Sequence, residues 1–186
     1  VKCFRDEDLR ADRQPEFTQI DLEMSFVDEE EVFLYMENLM RCLFKNIRGF
    51  ELPNKFSILT YAESMNKYGS DKPDLRFDMS LKEFKVFTDK SDFKTFHSME
   101  IVKGIIVKDG AGFSRKIIDQ LIVFVKKFKA KGLAWVKVNN NNFNGGISKF
   151  FSEDLQKEII KTYKIKSDDI IFMIGGEKKI TLNALG

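Results

Sequence analysis

Residues 1–26 read VKCFRDEDLRADRQPEFTQIDLEMSF. Segments 2–7 and 17–26 alternate with period two, and the polar connection at 10–16 contains Pro15. That pattern predicts an antiparallel hairpin. Successive strand side chains point to opposite faces. Phe17, Gln19, Asp21 and Glu23 therefore share one side, and Thr18, Ile20, Leu22 and Met24 the other. On the first strand Arg5 and Glu7 lie opposite Phe4. The expected packing buries Phe4, Ile20, Leu22 and Met24, leaving Arg5, Glu7, Gln19 and Asp21 together on an open surface. Such a surface is either a solvated ribbon of paired charges or a site for a ligand charged on both sides.

Downstream the period changes to that of a helix. Acidic residues at 28–31 suit a helix N-terminus, and Val32, Met36, Leu39, Met40, Leu43 and Ile47 form an apolar stripe ending near Gly49. Thr60 and Glu63 make a capping box for a short helix that stops before Gly69. The run YGSDKPDLR at 68–76 fits neither helix nor strand. Beyond residue 80, strands are expected near 93–96, 101–107, 133–138 and 170–174. Helices are expected at 114–131, stopping at Gly132, and at 152–164, with a further helical pattern after Lys178. Strand pair, helix, strand, helix, strand describes a two-layer α+β module. There is no internal repeat.

Composition restricts the function classes. The chain has 186 residues, 43% hydrophobic and 32% charged, which is enough to bury a core. The net charge of +2 argues neither for nor against nucleic acid, because a basic patch can sit inside a neutral total. No apolar run approaches a membrane span and no signal peptide is present, so no membrane partner is expected. Cys3 and Cys42 are far apart and lack metal-ligand spacing. They read as reduced thiols of a cytoplasmic protein, and no metal site is expected. His97 is the only histidine, which removes histidine-based triads. The chain opens inside a strand-like segment without methionine, so it reads as an internal piece of a longer protein.

Two loops invite a functional reading. DGAGFSRK at 109–116 has the glycines and basic residues of a phosphate loop, but matches neither GxxxxGK[ST] nor GxGxxG. A strand-to-helix turn with Ser114 as N-cap is the better reading. The asparagine run at 139–142 reads as a flexible exposed loop.

FRDEDLRADRQPEFTQID resembles the second signature motif of class II aminoacyl-tRNA synthetases: Phe-Arg-x-Glu, a loop, then a returning strand. The RADRQPEFTQID form and the run YGSDKPDLRF at 68–77 are similar to the bacterial aspartate-specific branch. VKDGAGFSRKIIDQL and KGLAWVKV resemble the inserted GAD domain, which that branch shares with an amidotransferase subunit. The hairpin excludes that subunit as the parent. The resemblance implies a partial catalytic domain over 1–80, part of an antiparallel-sheet α+β fold, followed by the inserted domain over 81–186.

What the resemblance implies chemically is aspartate activation by ATP, then transfer of the aspartyl group to tRNA(Asp). Arg5 is expected to touch both ATP and L-aspartate, with Asp6 and Glu7 around the adenine and Gln14 against ATP. Asp21 is the expected partner of the substrate ammonium, with Gln19 beside it, and Phe17 is a stacking surface. Mg²⁺ ligands, the homodimer-forming motif and the anticodon-binding barrel are expected outside this chain, which alone is expected to be inactive. A second reading is a non-catalytic tRNA-contacting module, with Lys103, Lys108, Arg115, Lys116, Lys126, Lys127, Lys129 and Lys131 either steering phosphates or forming a solvated surface.

Overall fold

The computed structural model describes residues 1–9 and 13–186. Part of the expected hairpin connection, with Arg10, lies outside them. The chain divides into two compact units, 1–58 and 59–186.

In the first unit, β1 (Lys2–Phe4) pairs antiparallel with β2 (Glu16–Thr18) in the register Lys2↔Thr18, Cys3↔Phe17, Phe4↔Glu16. The ladder extends on both sides through Arg5 N–H to Pro15 O at 2.9 Å and Gln19 N–H to Val1 O at 2.8 Å. The strands are shorter than the alternation predicts, and residues 20–26 carry no strand.

The expected burial of the apolar face is also corrected. Phe4, Ile20, Leu22 and Met24 are all exposed. A two-stranded ribbon buries a face only against another element, and among the described residues of this unit no element covers it. Helix α1 (Glu29–Leu43) follows, and its last turn widens into a π-helical segment, Phe44–Arg48, closed by Gly49 at φ 63°. Asp28 and Glu31 form a reciprocal capping box, with Glu31 N–H donating to Asp28 Oδ1 at 2.9 Å and Asp28 N–H to Glu31 Oε2 at 3.1 Å. None of the residues of α1 is buried. The stripe at 32–47 is partly covered: Val32, Leu39, Met40 and Leu43 are half-buried, while Met36 and Ile47 are exposed.

The second unit has the core. Helix α2 (Tyr61–Tyr68) starts at the Thr60–Glu63 box and ends at Gly69 with φ 69°. A Cβ at Gly69 would lie 2.3 Å from Leu182 O, so glycine is required there by both space and conformation. Residues 59–80 pack in this unit.

A five-stranded antiparallel sheet follows, in the order β3-β4-β7-β5-β6. Its strands are β3 (Lys82–Glu83), β4 (Ile101–Val107), β5 (Ala134–Asn139), β6 (Asn142–Asn144) and β7 (Ile170–Gly176). The helices α3 (Lys85–Thr88), α4 (Arg115–Lys126), α5 (Glu153–Tyr163) and α6 (Lys178–Leu185) complete it. The register of β4 on β7 runs from Ile101↔Gly176 to Val107↔Ile170.

Alternation along β7 decides the layering. Ile171 and Met173 join Val102, Val136 and Phe84 with Leu155 and Ile159 of α5. Ile170 and Phe172 pack with Ile118 of α4, and Ile174 with Val125 and Ala184. The fold is α+β as expected, with helices on both faces of the sheet where a two-layer module has them on one. That explains why β7 reads as a continuous apolar run rather than an alternating one.

Three local expectations are corrected. Residues 94–96 form a 3₁₀ turn rather than a strand. Their aromatics pack edge-on, Phe93 against Phe96 at 4.9 Å, and Ser91 Oγ accepts the Phe93 N–H, so the backbone curls instead of pairing. Helix α4 stops at Lys126, and Lys129 at φ 68° makes the reversal assigned to Gly132. The asparagine run forms a tight hairpin turn between β5 and β6, with Asn140 at φ 48° and Asn141 at φ 60°. Asparagine tolerates that left-handed geometry well, which is why it is favoured in such turns.

Candidate functional site

The hairpin register puts Cys3, Arg5, Phe17 and Gln19 on one face. Cys3 and Phe17 are directly paired, and Arg5 and Gln19 flank them at the two ends of the ladder. The Arg5 guanidinium carbon lies 5.4 Å from the centroid of the Phe17 ring, within cation–π range. Cys3 Sγ donates to Gln19 Oε1 at 3.5 Å, which fixes the orientation of that amide.

Beyond the ladder, Arg13 Nη1 donates to Glu7 Oε2 at 2.9 Å. Arg5, Glu7, Arg13, Gln14 and Phe17 line one open groove. The groove therefore offers two guanidinium groups, one carboxylate, one amide and one aromatic face. This is a mixed-charge lining suited to a ligand with both a phosphate or carboxylate and a polar ring.

Of the expected site residues, the structure brings Arg5, Glu7 and Gln14 into this groove, with Gln19 on the same ribbon face. Asp6 and Asp21 are exposed and are not among the groove residues. Asp21 falls two positions past the last ladder bond, where alternation no longer fixes its direction. Arg13 is the addition. Its partner stands six residues earlier in the chain.

The 109–116 loop turns out to be a structural corner. Asp109 sits at φ 55° and its N–H donates to Asp169 Oδ1 at 3.2 Å, while Ala111 N–H donates to Asp168 O at 2.7 Å. A Cβ at Gly110 would lie 2.4 Å from Ile170 Cγ2. Its donors face carboxylate and carbonyl oxygens, so they do not form a phosphate cradle. Ser114 caps α4, accepting the Ile117 N–H at 3.3 Å. His97 is exposed, with Nε2 2.9 Å from Ser91 O, and belongs to no catalytic cluster.

In the 68–76 run the carboxylate of Asp74 holds Arg76 through the side-chain Nε at 2.8 Å and the backbone N–H at 3.0 Å. The guanidinium, and then the backbone N–H, hold the Asp74 carboxyl down to about 2. Glu63 is likewise lowered, chiefly by the Thr60 N–H it accepts within the capping box.

The sequence model of the family "tRNA synthetases class II (D, K and N)" matches residues 1–174, and the chain belongs to that family. It is similar to the aspartate–tRNA(Asp/Asn) ligase of Desulfatibacillum aliphaticivorans, 49% identical over the whole chain and 32% of that relative. It is also similar to the aspartate–tRNA ligase of Halalkalibacterium halodurans, 47% identical over the whole chain and 32% of that relative. The aspartate–tRNA(Asp/Asn) ligase of Borrelia garinii subsp. bavariensis matches 96% of the chain at 46% identity. The chain thus spans 32% of the length of the first two.

Among the described residues no helix is long and apolar enough to cross a membrane. No group of three His, Cys, Asp or Glu side chains there is placed to hold a metal ion.

Proposed function

We propose that this chain carries part of the ATP and L-aspartate site of an aspartate–tRNA ligase, with the ribbon of residues 1–19 as the second class II motif. Supporting the reading is the convergence of Arg5, Glu7, Gln14 and the Phe17 ring on one groove, in a family whose similar relatives are named as aspartate–tRNA ligases. In the first step the aspartate α-carboxylate attacks the α-phosphorus of ATP. The bond to the β-phosphate breaks and pyrophosphate leaves. In the second, the terminal ribose hydroxyl of tRNA(Asp) attacks the aspartyl carbonyl and AMP leaves. Neither step requires a protein nucleophile, so catalysis is positioning and neutralisation of developing negative charge.

Arg5 takes the central role. Its planar fork binds the substrate carboxylate and the α-phosphate together, a geometry that lysine does not reproduce. Stacking on Phe17 holds the fork in place. Glu7 faces the adenine amino group, with Asp6 next to it in the chain on the adenine side of the site, and Gln14 binds the nucleotide. Asp21 receives the substrate ammonium, with Gln19 beside it. Mg²⁺ accompanies ATP in the parent enzyme, but the described residues of this chain do not fit a metal site, so no step here runs through one. The parent acts as a homodimer in the cytoplasm.

Residues 1–80 belong to the catalytic domain in this reading, and 81–186 to the inserted GAD domain. The deciding experiment is aspartate-dependent pyrophosphate exchange in the full-length parent carrying Arg5→Ala. Loss of one such charge-stabilising group lowers turnover by about 10²–10³-fold. Unchanged exchange would sink the assignment. The chain by itself, spanning 32% of its relatives, is expected to show no exchange.

A second reading concerns the later unit as a tRNA-contacting module, favoured by exposed lysines along and after α4. A gel shift with tRNA separates it from a spacer. Indifference to salt and to charge reversal at Arg115 and Lys116 leaves only the spacer.

A further inference from the structure

The basic residues of the second unit are not equivalent. Lys103 is paired with Glu83, Lys108 with Asp78, and Arg115 with Asp119. Arg115 also lies 5.8 Å from the Trp135 ring. Lys126, Lys127, Lys129 and Lys131 are exposed and, among the described residues, form no ion pair. Lys129 and Lys131 border a depression also lined by Glu100 and Glu177. Glu100 is engaged there, accepting the Lys178 N–H at 3.0 Å.

Beside these lysines α4 exposes carbon where a solvated helix end has no use for it. Val123 is 60% exposed, Phe124 49% and Phe128 40%. The two rings stand 5.3 Å apart, edge to face, and Lys127 Nζ lies 5.8 Å from the Phe124 centroid. Two half-exposed rings among four lysines in an eight-residue span combine a flat stacking surface with a dense positive field. An acidic protein partner would match the charge but gain little from open ring faces. Unpaired nucleotides match both, since every base has a π-face and every linkage a phosphate.

We infer that the C-terminal end of α4, centred on Phe124, Lys127 and Phe128, is a contact surface for unpaired RNA. Lys126, Lys129 and Lys131 supply phosphate contacts around it. The inference deepens the tRNA-contacting reading and rests on it, but places the contact about 16 Å along the helix from Lys116, at 1.5 Å per residue.

The test uses the 186-residue chain. Fluorescence anisotropy follows its binding to a labelled single-stranded RNA oligonucleotide and to the same strand annealed in a duplex. Preference for the single strand is expected. Phe124→Ala and Phe128→Ala each weaken that binding by about fivefold or more, with little effect on the duplex. Phe124→Leu keeps the apolar volume without the ring and loses the same affinity, which separates stacking from folding. Lys126→Gln and Lys127→Gln each flatten the logarithmic salt slope by about 0.7.

Equal binding of single strand and duplex, or equal competition by poly-L-glutamate, would overturn the proposal. Binding that ignores these variants but falls with Arg115→Glu and Lys116→Glu would overturn the surface and leave the broader reading standing. No RNA binding at low salt would remove both.

Discussion

The Arg5 guanidinium lies over the Phe17 ring at 5.4 Å although twelve positions separate the two in sequence. The pairing Cys3↔Phe17 makes this possible, because it leaves Arg5 one ribbon step further along the same face. The ring supports the aliphatic and π surfaces of arginine while leaving the edge donors of the fork free for a ligand. If the fork rather than the charge is what matters, Arg5→Lys in the full-length parent will lose nearly as much pyrophosphate exchange as Arg5→Ala, about 10²-fold. Substantial retention of exchange by the lysine variant would argue for a simple point charge.

Asp74 gives a pH signature. Its carboxyl, ordinarily at 3.8, is held at about 2 chiefly by the Arg76 guanidinium. A depressed folded-state value means the pair contributes above the ordinary carboxyl range and is lost as pH falls towards 2. A carbon-detected NMR titration of the Asp74 carboxyl will place its midpoint near the low value, and Arg76→Ala will raise it part of the way back, since the backbone N–H of residue 76 remains.

Helix α2 depends on its first turn. Thr60→Ala removes the acceptor for the Glu63 N–H and should destabilise the second unit by about 1 kcal/mol. Urea unfolding measures the loss. The same change should raise the Glu63 carboxyl back towards 4.5, since Thr60 supplies the two largest lowering contributions, one of them through its hydroxyl.

Burial predicts unequal sensitivity. Ile159 is fully buried between α5 and the sheet, whereas Ile47 is 73% exposed. Ile159→Ala should cost about 2–5 kcal/mol, and Ile47→Ala less than about 0.5 kcal/mol. Trp135, the only tryptophan, reports unfolding of the second unit by fluorescence.

Gly146 is boxed in by that same tryptophan. At φ 51°, a Cβ there would lie 1.8 Å from Trp135 O, and at Gly145 one would lie 2.7 Å from the ring. Gly146→Ala should cost more than about 1 kcal/mol and shift the Trp135 emission. An unchanged spectrum and midpoint would show that the β6 turn can relax.

What the sequence made legible follows the range of the interaction involved. Thr60 and Ser114 announce helix starts because a cap acts within three residues. Gly49 and Gly69 mark ends for the same reason. The common face of Arg5 and Gln19 follows from alternation alone. The 94–96 turn was misread because Phe and Thr favour strands until Ser91 and the ring packing take the backbone elsewhere. The Arg13–Glu7 pair could not be read at all, since Arg13 lies outside the alternating segments. Nor could the uncovered side of Phe4, Ile20 and Leu22, because periodicity shows that a face is apolar but not what covers it.

The unburied flank of α1 has a calorimetric consequence. Heat capacity of unfolding rises with the apolar surface newly exposed to water, and a helix whose apolar residues are at most half-buried contributes less of it than a packed core does. Unfolding of this chain should therefore show a heat-capacity increment set mainly by residues 59–186 and below what its full length would give. Measured by length the protein is ordinary, but measured by the water it releases on folding it is a smaller one.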